Sequence, residues 1–170
     1  MTGDSNKGKI GVFWNMDDCP IPDVCNPHQF KEFVFAALEN EGYLGYVSSW
    51  AYSGKTSVVE NLWVDYNRAD IRLSNKVFRG INGMKQDILL FILRNTAPAN
   101  VLVISKDIAE DRDLMRTLGK LKSIKYNILA MQPEPVKSEA LLAIISKLWL
   151  WPSQLDADTE SSGVMPDSED

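Results

Sequence analysis

Cysteine and histidine are scarce in this chain of 170 residues, which contains two cysteines and one histidine. Cys19 and Cys25 lie in one short segment without a further Cys or His pair, which excludes the ligand spacing of a zinc site and a disulfide framework. His28 stands beside a proline with no evident triad partner, so we expect a surface or capping role for it. We therefore expect reduced cysteines and an intracellular location, in the cytoplasm.

Long apolar runs are also absent. No stretch approaches the roughly 18 apolar residues of a membrane span, and the first residues lack the apolar segment of a secretion signal. With 45% hydrophobic and 24% charged residues, the composition is typical of one globular domain with a full core. The formal charge of -5 arises in residues 156–170, which hold six acidic residues and no basic ones. The rest of the chain has 18 basic and 17 acidic residues, a balance that neither requires nor excludes a nucleic-acid partner.

Apolar strands and amphipathic helices alternate along the chain. Residues 10–14 are a continuous apolar run bounded by turn residues, which predicts a strand buried on both faces. By the same patterns we predict strands at 44–52, 71–77, 101–104 and 126–131 and helices at 27–40, 56–67, 84–94, 111–121 and 136–151. This alternation predicts an α/β protein, a three-layer α/β/α sandwich with a central, mostly parallel sheet of about five strands. We expect a flexible N-terminus over residues 1–8, a domain over 9–152 and an acidic disordered tail over 153–170.

Carboxylates follow the predicted strands. Asp17 and Asp18 come directly after the first strand, Asp87 lies on a helix, and three more acids follow strand 101–104, at Asp107, Asp111 and Asp113. Because the carboxyl ends of parallel strands share one edge of the sheet, we expect these groups to converge. Converging carboxylates repel one another unless a cation neutralises them, and Mg²⁺ or Mn²⁺ prefers oxygen ligands. The pattern predicts metal-assisted phosphodiester hydrolysis. Acids are also common as helix caps, and Asp111 fits a cap of the helix that follows it.

Other site patterns are weaker. The segment 53–56, Ser-Gly-Lys-Thr, resembles the end of a phosphate-binding loop, but Ser49 replaces the first glycine, so an ordinary turn is favoured over nucleotide binding. A receiver domain would need an acceptor Asp in the third strand and a Lys after the last one, and both are missing. Trp149 and Trp151 can stack on bases, although at the end of an apolar helix such residues are more typical of a core. Basic residues near the strand ends can contact a phosphate backbone or form a solvated surface: Lys7, Lys9, Lys55, Arg68, Arg72, Lys76, Arg79 and Lys85.

The order of several motifs resembles one family. The segments 10–22 (IGVFWNMDDCPIP), 95–100 (NTAPAN), 126–133 (YNILAMQP) and 147–151 (KLWLW) are similar to NYN domains, a branch of the PIN-like nucleases, and especially to the plant set related to meiosis regulator and mRNA stability factor. The resemblance extends from Lys9 to about Leu155. It implies a PIN-like sandwich and Mg²⁺- or Mn²⁺-dependent cleavage of RNA, as an endoribonuclease in post-transcriptional regulation of gene expression.

The resemblance also implies functional positions. The implied catalytic residues are Asp17, Asp18, Asp87, Asp111 and Asp113, and all of these except Asp18 are implied metal ligands. We expect contacts with RNA, in single-stranded form, at Asn15, Lys55, Arg79 and Lys85. Two acids of the family pattern are replaced, by Asn15 and Ile81, and Asp107 competes with Asp111 for a third position.

These replacements leave two functions open. One is a metal-dependent endoribonuclease with a partly eroded acidic site, and the other is a catalytically inactive NYN module that binds RNA or a protein. A protein partner or a homodimer stays open, and no membrane is expected. The family analogy alone adds the peroxisome as a compartment, but the sequence ends in Asp-Ser-Glu-Asp without the S-K-L signal.

Overall fold

A six-stranded sheet forms the centre of the structure, a computed structural model that describes residues 7–21, 26–74 and 80–151, without the side chains of 56–61 and 80–82. The strands are β1 (Ile10–Asn15), β2 (Val47–Tyr52), β3 (Ile71–Leu73), β4 (Asn100–Ile104), β5 (Asn127–Gln132) and β6 (Lys147–Leu150). The helices are α1 (Pro27–Asn40), α2 (Thr56–Arg68), α3 (Gly80–Arg94), α4 (Arg112–Ser123) and α5 (Glu139–Ile144), with a short 3-10 helix, Ile108–Glu110, before α4.

All strand pairs in this sheet are parallel, in the order β3-β2-β1-β4-β5-β6. The predicted α/β sandwich with a parallel sheet is confirmed, with one strand more than expected. The chain starts at the centre with β1, moves outwards to β3 and then returns to the other side of β1 as β4. Where the direction reverses, between the carboxyl ends of β1 and β4, such sheets form a crevice that binds ligands.

Apolar side chains on both faces of the sheet form two cores. On one face Trp14 stacks on Phe30 of α1 with ring centroids 3.8 Å apart. On the other face Phe13 packs against Phe91 of α3, and side chains of α4 and α5 extend that core. Residues of β1 and β4 are buried throughout, which is why their sequences read as continuous apolar runs rather than as alternating ones.

The predicted helix over 136–151 is wrong. Ser138 caps the short α5, Ile145 is already extended with a ψ of 145°, and the chain continues as β6 beside β5. An apolar run of this kind does not distinguish a buried helix from a buried strand. The strand is favoured here because Leu148 and Trp149 then reach the cores on opposite faces of the sheet. Trp151 packs against Trp14, which confirms the expected core role.

Smaller differences concern element ends. Helix α1 begins where predicted, and Asn26 caps it, since its side chain accepts from the Gln29 N–H in a full capping box. The third helix begins one turn earlier than predicted, at Gly80, and the third strand is Ile71–Leu73 in the described residues. Residues 1–6, 22–25, 75–79 and 152–170 lie outside the described residues, and with them most of both predicted terminal segments. No helix in the described part of the chain is long and apolar enough to cross a membrane.

Candidate functional site at the carboxyl edge of the sheet

Asn15, the last residue of β1, organises the turn at the crevice. Its side-chain oxygen accepts from the backbone N–H groups of Asp17 and Asp18, at 3.1 and 3.3 Å. These two donors identify that atom as the oxygen, so the amide NH₂ faces Asp18, at 3.2 Å from Oδ2. Asn15 is 7% exposed, and its side chain is fully engaged within the turn.

Asp18 extends from this turn towards the end of β4. Besides the Asn15 amide, its Oδ2 accepts from the Ser105 hydroxyl at 2.9 Å and from the Lys106 N–H at 3.1 Å. Three donors on one oxygen fix the position of this carboxylate. Asp18 therefore connects the ends of β1 and β4 across the crevice.

Asp17 extends in the other direction, towards the end of β2. Its Oδ1 accepts from the buried Ser53 hydroxyl at 2.8 Å, and its Oδ2 accepts from the Gly54 N–H at 2.7 Å. The segment that resembled a phosphate-binding loop thus directs a backbone donor at a carboxylate of its own chain. The two neighbouring acids are splayed apart, each held by donors of a different strand end.

Asp87, on α3, lies beside Tyr52, the last residue of β2. The Tyr52 hydroxyl donates to Asp87 Oδ2 at 2.8 Å. Burial, and then the charge of Asp87, raises the pKa of Tyr52, so the hydroxyl keeps its proton and stays a donor. Asp87 therefore lies on the sheet face that carries α3, at the end of β2.

Asp111 has a structural role at the start of α4. Its Oδ1 accepts from the Leu114 N–H at 3.0 Å, which confirms the capping alternative, and its Oδ2 lies 3.0 Å from Lys85 Nζ. Burial raises the pKa of Asp111, but the Leu114 hydrogen bond and Lys85 outweigh it and hold the pKa below its usual value. Lys85, a predicted RNA contact, is thus paired with a predicted metal ligand.

The remaining predicted residues are distributed around the edge. Asp113 is exposed and lies 3.4 Å from Arg116 one turn along α4. Asp107 is exposed at the start of the 3-10 helix, and Lys55 is exposed after β2. The prediction for Arg79 falls outside the described residues, and the side chain of Ile81 does too.

A metal ion would need several of these acids in one place, and the described residues do not bring them together. Among those residues, no group of three or more His, Cys, Asp or Glu side chains is arranged to hold a metal ion. The expected convergence of carboxylates is therefore not found in this part of the chain. Each of these acids is instead held by donors of the protein: hydroxyl and N–H groups at Asp17 and Asp18, a phenol at Asp87 and the Lys85 ammonium at Asp111.

Sequence reasoning missed the partners of these acids. Tyr52, Ser53 and Ser105 each donate a hydroxyl hydrogen bond to a carboxylate. Their common signal is a hydroxyl residue at the last position of a strand or directly after it, in the row where the acids stand. Read with the parallel order of the sheet, this pattern would have predicted hydroxyl–carboxylate pairs.

Comparison with known proteins agrees with this architecture. The profile of the NYN domain matches residues 9–147. A crystal structure of a protein of unknown function from Vibrio parahaemolyticus superposes with a TM-score of 0.55 at 13% sequence identity, over 87% of this chain and 95% of that chain, and this likeness concerns the fold alone. No curated protein matches the sequence. The profile match covers most of the sequence, and the chain belongs to the NYN domain family.

Proposed function

We propose that this chain is an RNA-binding NYN module of post-transcriptional regulation that does not cleave RNA through a metal ion at the carboxyl edge of its sheet. Membership of the NYN family indicates a nuclease-like, RNA-related function. The observation that carries the proposal is that donors of the protein already hold the acids of the candidate site, above all through the three hydrogen bonds to Asp18 Oδ2.

The Asn15 amide opposes metal binding in two ways: it lacks the negative charge of an aspartate, and its NH₂ group bonds to the neighbouring acid. An NH₂ group donates to Asp18 at 3.2 Å, whereas a carboxylate in the same place would repel it. Lys85 acts in the same direction, because its ammonium lies 3.0 Å from Asp111 and would repel a cation bound there. A divalent ion would compete with the Asn15 amide for Asp18 and with the Lys85 ammonium for Asp111.

The second candidate is a Mg²⁺- or Mn²⁺-dependent endoribonuclease. The feature that favours it is the adjacency of Asp17 and Asp18 at the crevice, where a parallel sheet of this order binds ligands. Under that alternative these two acids, with Asp87, Asp111 and Asp113, hold the ion and an attacking water. The two functions differ in what a metal ion does to the protein.

The test is a binding and cleavage assay with a fluorescently labelled single-stranded RNA of mixed sequence. In EDTA we expect binding that weakens as salt is raised, because phosphate contacts release counterions. With Mn²⁺ we expect unchanged binding, intact RNA and an unchanged melting temperature. Mn²⁺-dependent cleavage that disappears in Asp87→Asn would establish the endoribonuclease, and absence of RNA binding would refute an RNA function.

A variant that restores the family acids tests whether metal binding can be regained. Asn15→Asp combined with Ile81→Asp restores both acids of the family pattern. We expect a lower melting temperature in EDTA than for the natural chain, since the new carboxylate at position 15 faces Asp18. If Mn²⁺ raises the melting temperature of this variant but not that of the natural chain, metal binding was lost through these two positions. A location in the cytoplasm remains our prediction.

A further inference from the structure

A groove of about 480 Å³ lies on the sheet face that carries α3. Its floor is formed by side chains of β2 and β3, and Asp87, Leu90 and Arg94 of α3 form one wall. Lys9 and Tyr46 lie at the amino ends of β1 and β2, while Ser74 follows β3, so the groove extends from one edge of the sheet to the other. It begins beside the candidate site and leads away from it.

An aromatic column stands in the floor of this groove. Phe13, Trp50 and Arg72 are register neighbours on β1, β2 and β3. The rings of Phe13 and Trp50 are stacked, 4.9 Å apart and 1° from parallel, and the Arg72 guanidinium lies 5.2 Å from the Trp50 ring centroid. Phe13 is buried, Trp50 half-buried and Arg72 exposed, so the column ends at the solvent in a planar cation.

The charge of the groove suits an anion. Lys9, Arg72 and Arg94 supply cations, and the carboxylate of Asp87 already accepts the Tyr52 hydroxyl. Within the described part of the chain, the ion pairs involve other basic residues, not Lys9 or Arg94. A chain of phosphates with exposed bases fits this combination, because guanidinium planes stack on bases and spaced cations contact phosphates.

We propose that single-stranded RNA lies in this groove, with one base stacked on the Arg72–Trp50 pair and phosphates at Arg94 and Lys9. This proposal rests on the RNA function proposed above and names the surface on which the RNA is bound. Duplex RNA is excluded from it, since paired bases do not present a free face to Arg72.

The test compares three groove variants with a control of the same charge change. Arg72→Ala should weaken binding of the labelled single-stranded RNA about tenfold through loss of a stacked base. Arg72→Lys should retain much of that defect, because lysine keeps the charge but lacks the planar group. Arg94→Ala should reduce the slope of log affinity against log salt by about 0.7, the value for one phosphate contact on a single strand. Arg116→Ala, on the exposed surface of α4, should bind as the natural chain does.

The outcomes distinguish failure of the groove proposal from failure of the proposed RNA function. If the natural chain binds RNA and Arg72→Ala and Arg94→Ala bind it equally well with unchanged melting temperatures, the groove proposal is overturned while the RNA function stands. The groove proposal also fails if a duplex of the same sequence binds as tightly as the single strand, or if the variants lose a protein partner while their RNA binding is unchanged. If the natural chain binds no RNA, the function itself fails.

Discussion

Replacing Asp111 with asparagine tests whether the acids at the carboxyl edge are held by protein donors. In the structure Asp111 caps α4 through Oδ1 and pairs with Lys85 through Oδ2, with side-chain exposures of 23% for Asp111 and 21% for Lys85. An asparagine oxygen still accepts from the Leu114 N–H, so Asp111→Asn removes mainly the ion pair. For a pair at this exposure we expect a loss of about 1 kcal/mol in the free energy of unfolding. That corresponds to a melting temperature lower by about 2–4 °C in a chain of this size.

The competing arrangement predicts the opposite sign. If Asp111 belonged to a cluster of carboxylates awaiting a metal ion, removing one charge in EDTA would relieve repulsion and stabilise the fold. The assay is urea unfolding in EDTA at neutral pH, followed by circular dichroism. Asp113→Asn is the matched control, because that pair is 73% and 75% exposed and should contribute within about 0.5 kcal/mol. An Asp111→Asn chain that is as stable as the natural one, or more stable, would refute the reasoning.

The same variant has a pH signature with a defined direction. The pKa of Asp111 lies below its usual value of 3.8 in the folded state, since the Leu114 N–H and Lys85 outweigh burial. A carboxyl group with a lowered folded-state pKa stabilises the fold above its unfolded pKa, and this contribution disappears as the pH falls through the folded pKa. The stability difference between the natural chain and Asp111→Asn should therefore be constant at neutral pH and should close below pH 3.8.

Three further predictions follow from single contacts. Tyr52→Phe removes the 2.8 Å hydrogen bond to Asp87 and should lower the unfolding free energy by about 1–3 kcal/mol in urea titration, and an unchanged value would show that water replaces the hydroxyl without cost. Trp151→Ala should cost about 3–5 kcal/mol, because Trp151 is 7% exposed beside Trp14, and a loss below 1 kcal/mol would contradict its packing after β6. Burial, aided by the charge of Asp18, raises the pKa of Cys19 to about 12. In a Cys25→Ser chain the Cys19 thiol should therefore resist alkylation at pH 8 until urea unfolds the protein. Rapid alkylation of the folded protein would contradict the burial of Cys19.

The fold was largely predictable because hydrophobic patterns carry it. The continuous apolar runs of β1 and β4, and the Asn26–Pro27 start of α1, each follow from local physics and appear in the structure. The end of the domain was not predictable in this way. Most residues from 140 to 151 are apolar, and the choice between helix and strand depends on the free edge of β5, which lies elsewhere in the sequence.

The candidate site was predictable in its location but not in its chemistry. Asp17 and Asp18 lie at the carboxyl ends of parallel strands, as the pattern indicates. Their partners, Ser53 and Ser105, come from segments 36 and 87 positions away, and only the order of the strands in the sheet shows which hydroxyl meets which acid. Counting acids along a chain therefore overestimates how many remain free to bind a cation.

The contacts at this edge depend on one another, which bears on how a metal site would be regained. Asn15 donates to Asp18 and Lys85 pairs with Asp111, so each of these side chains opposes a bound cation and also stabilises the acid beside it. Restoring an acid at position 15 alone removes a donor from Asp18 and adds repulsion in the same step. We expect Mn²⁺ binding to improve further when Lys85, the partner of Asp111, is also replaced, so Asn15→Asp and Lys85→Ala should show a coupling energy in a double-mutant cycle with Mn²⁺. The turn at Asn15 is held by hydrogen bonds of the chain itself, and the RNA binding that we propose for the neighbouring groove needs no metal ion.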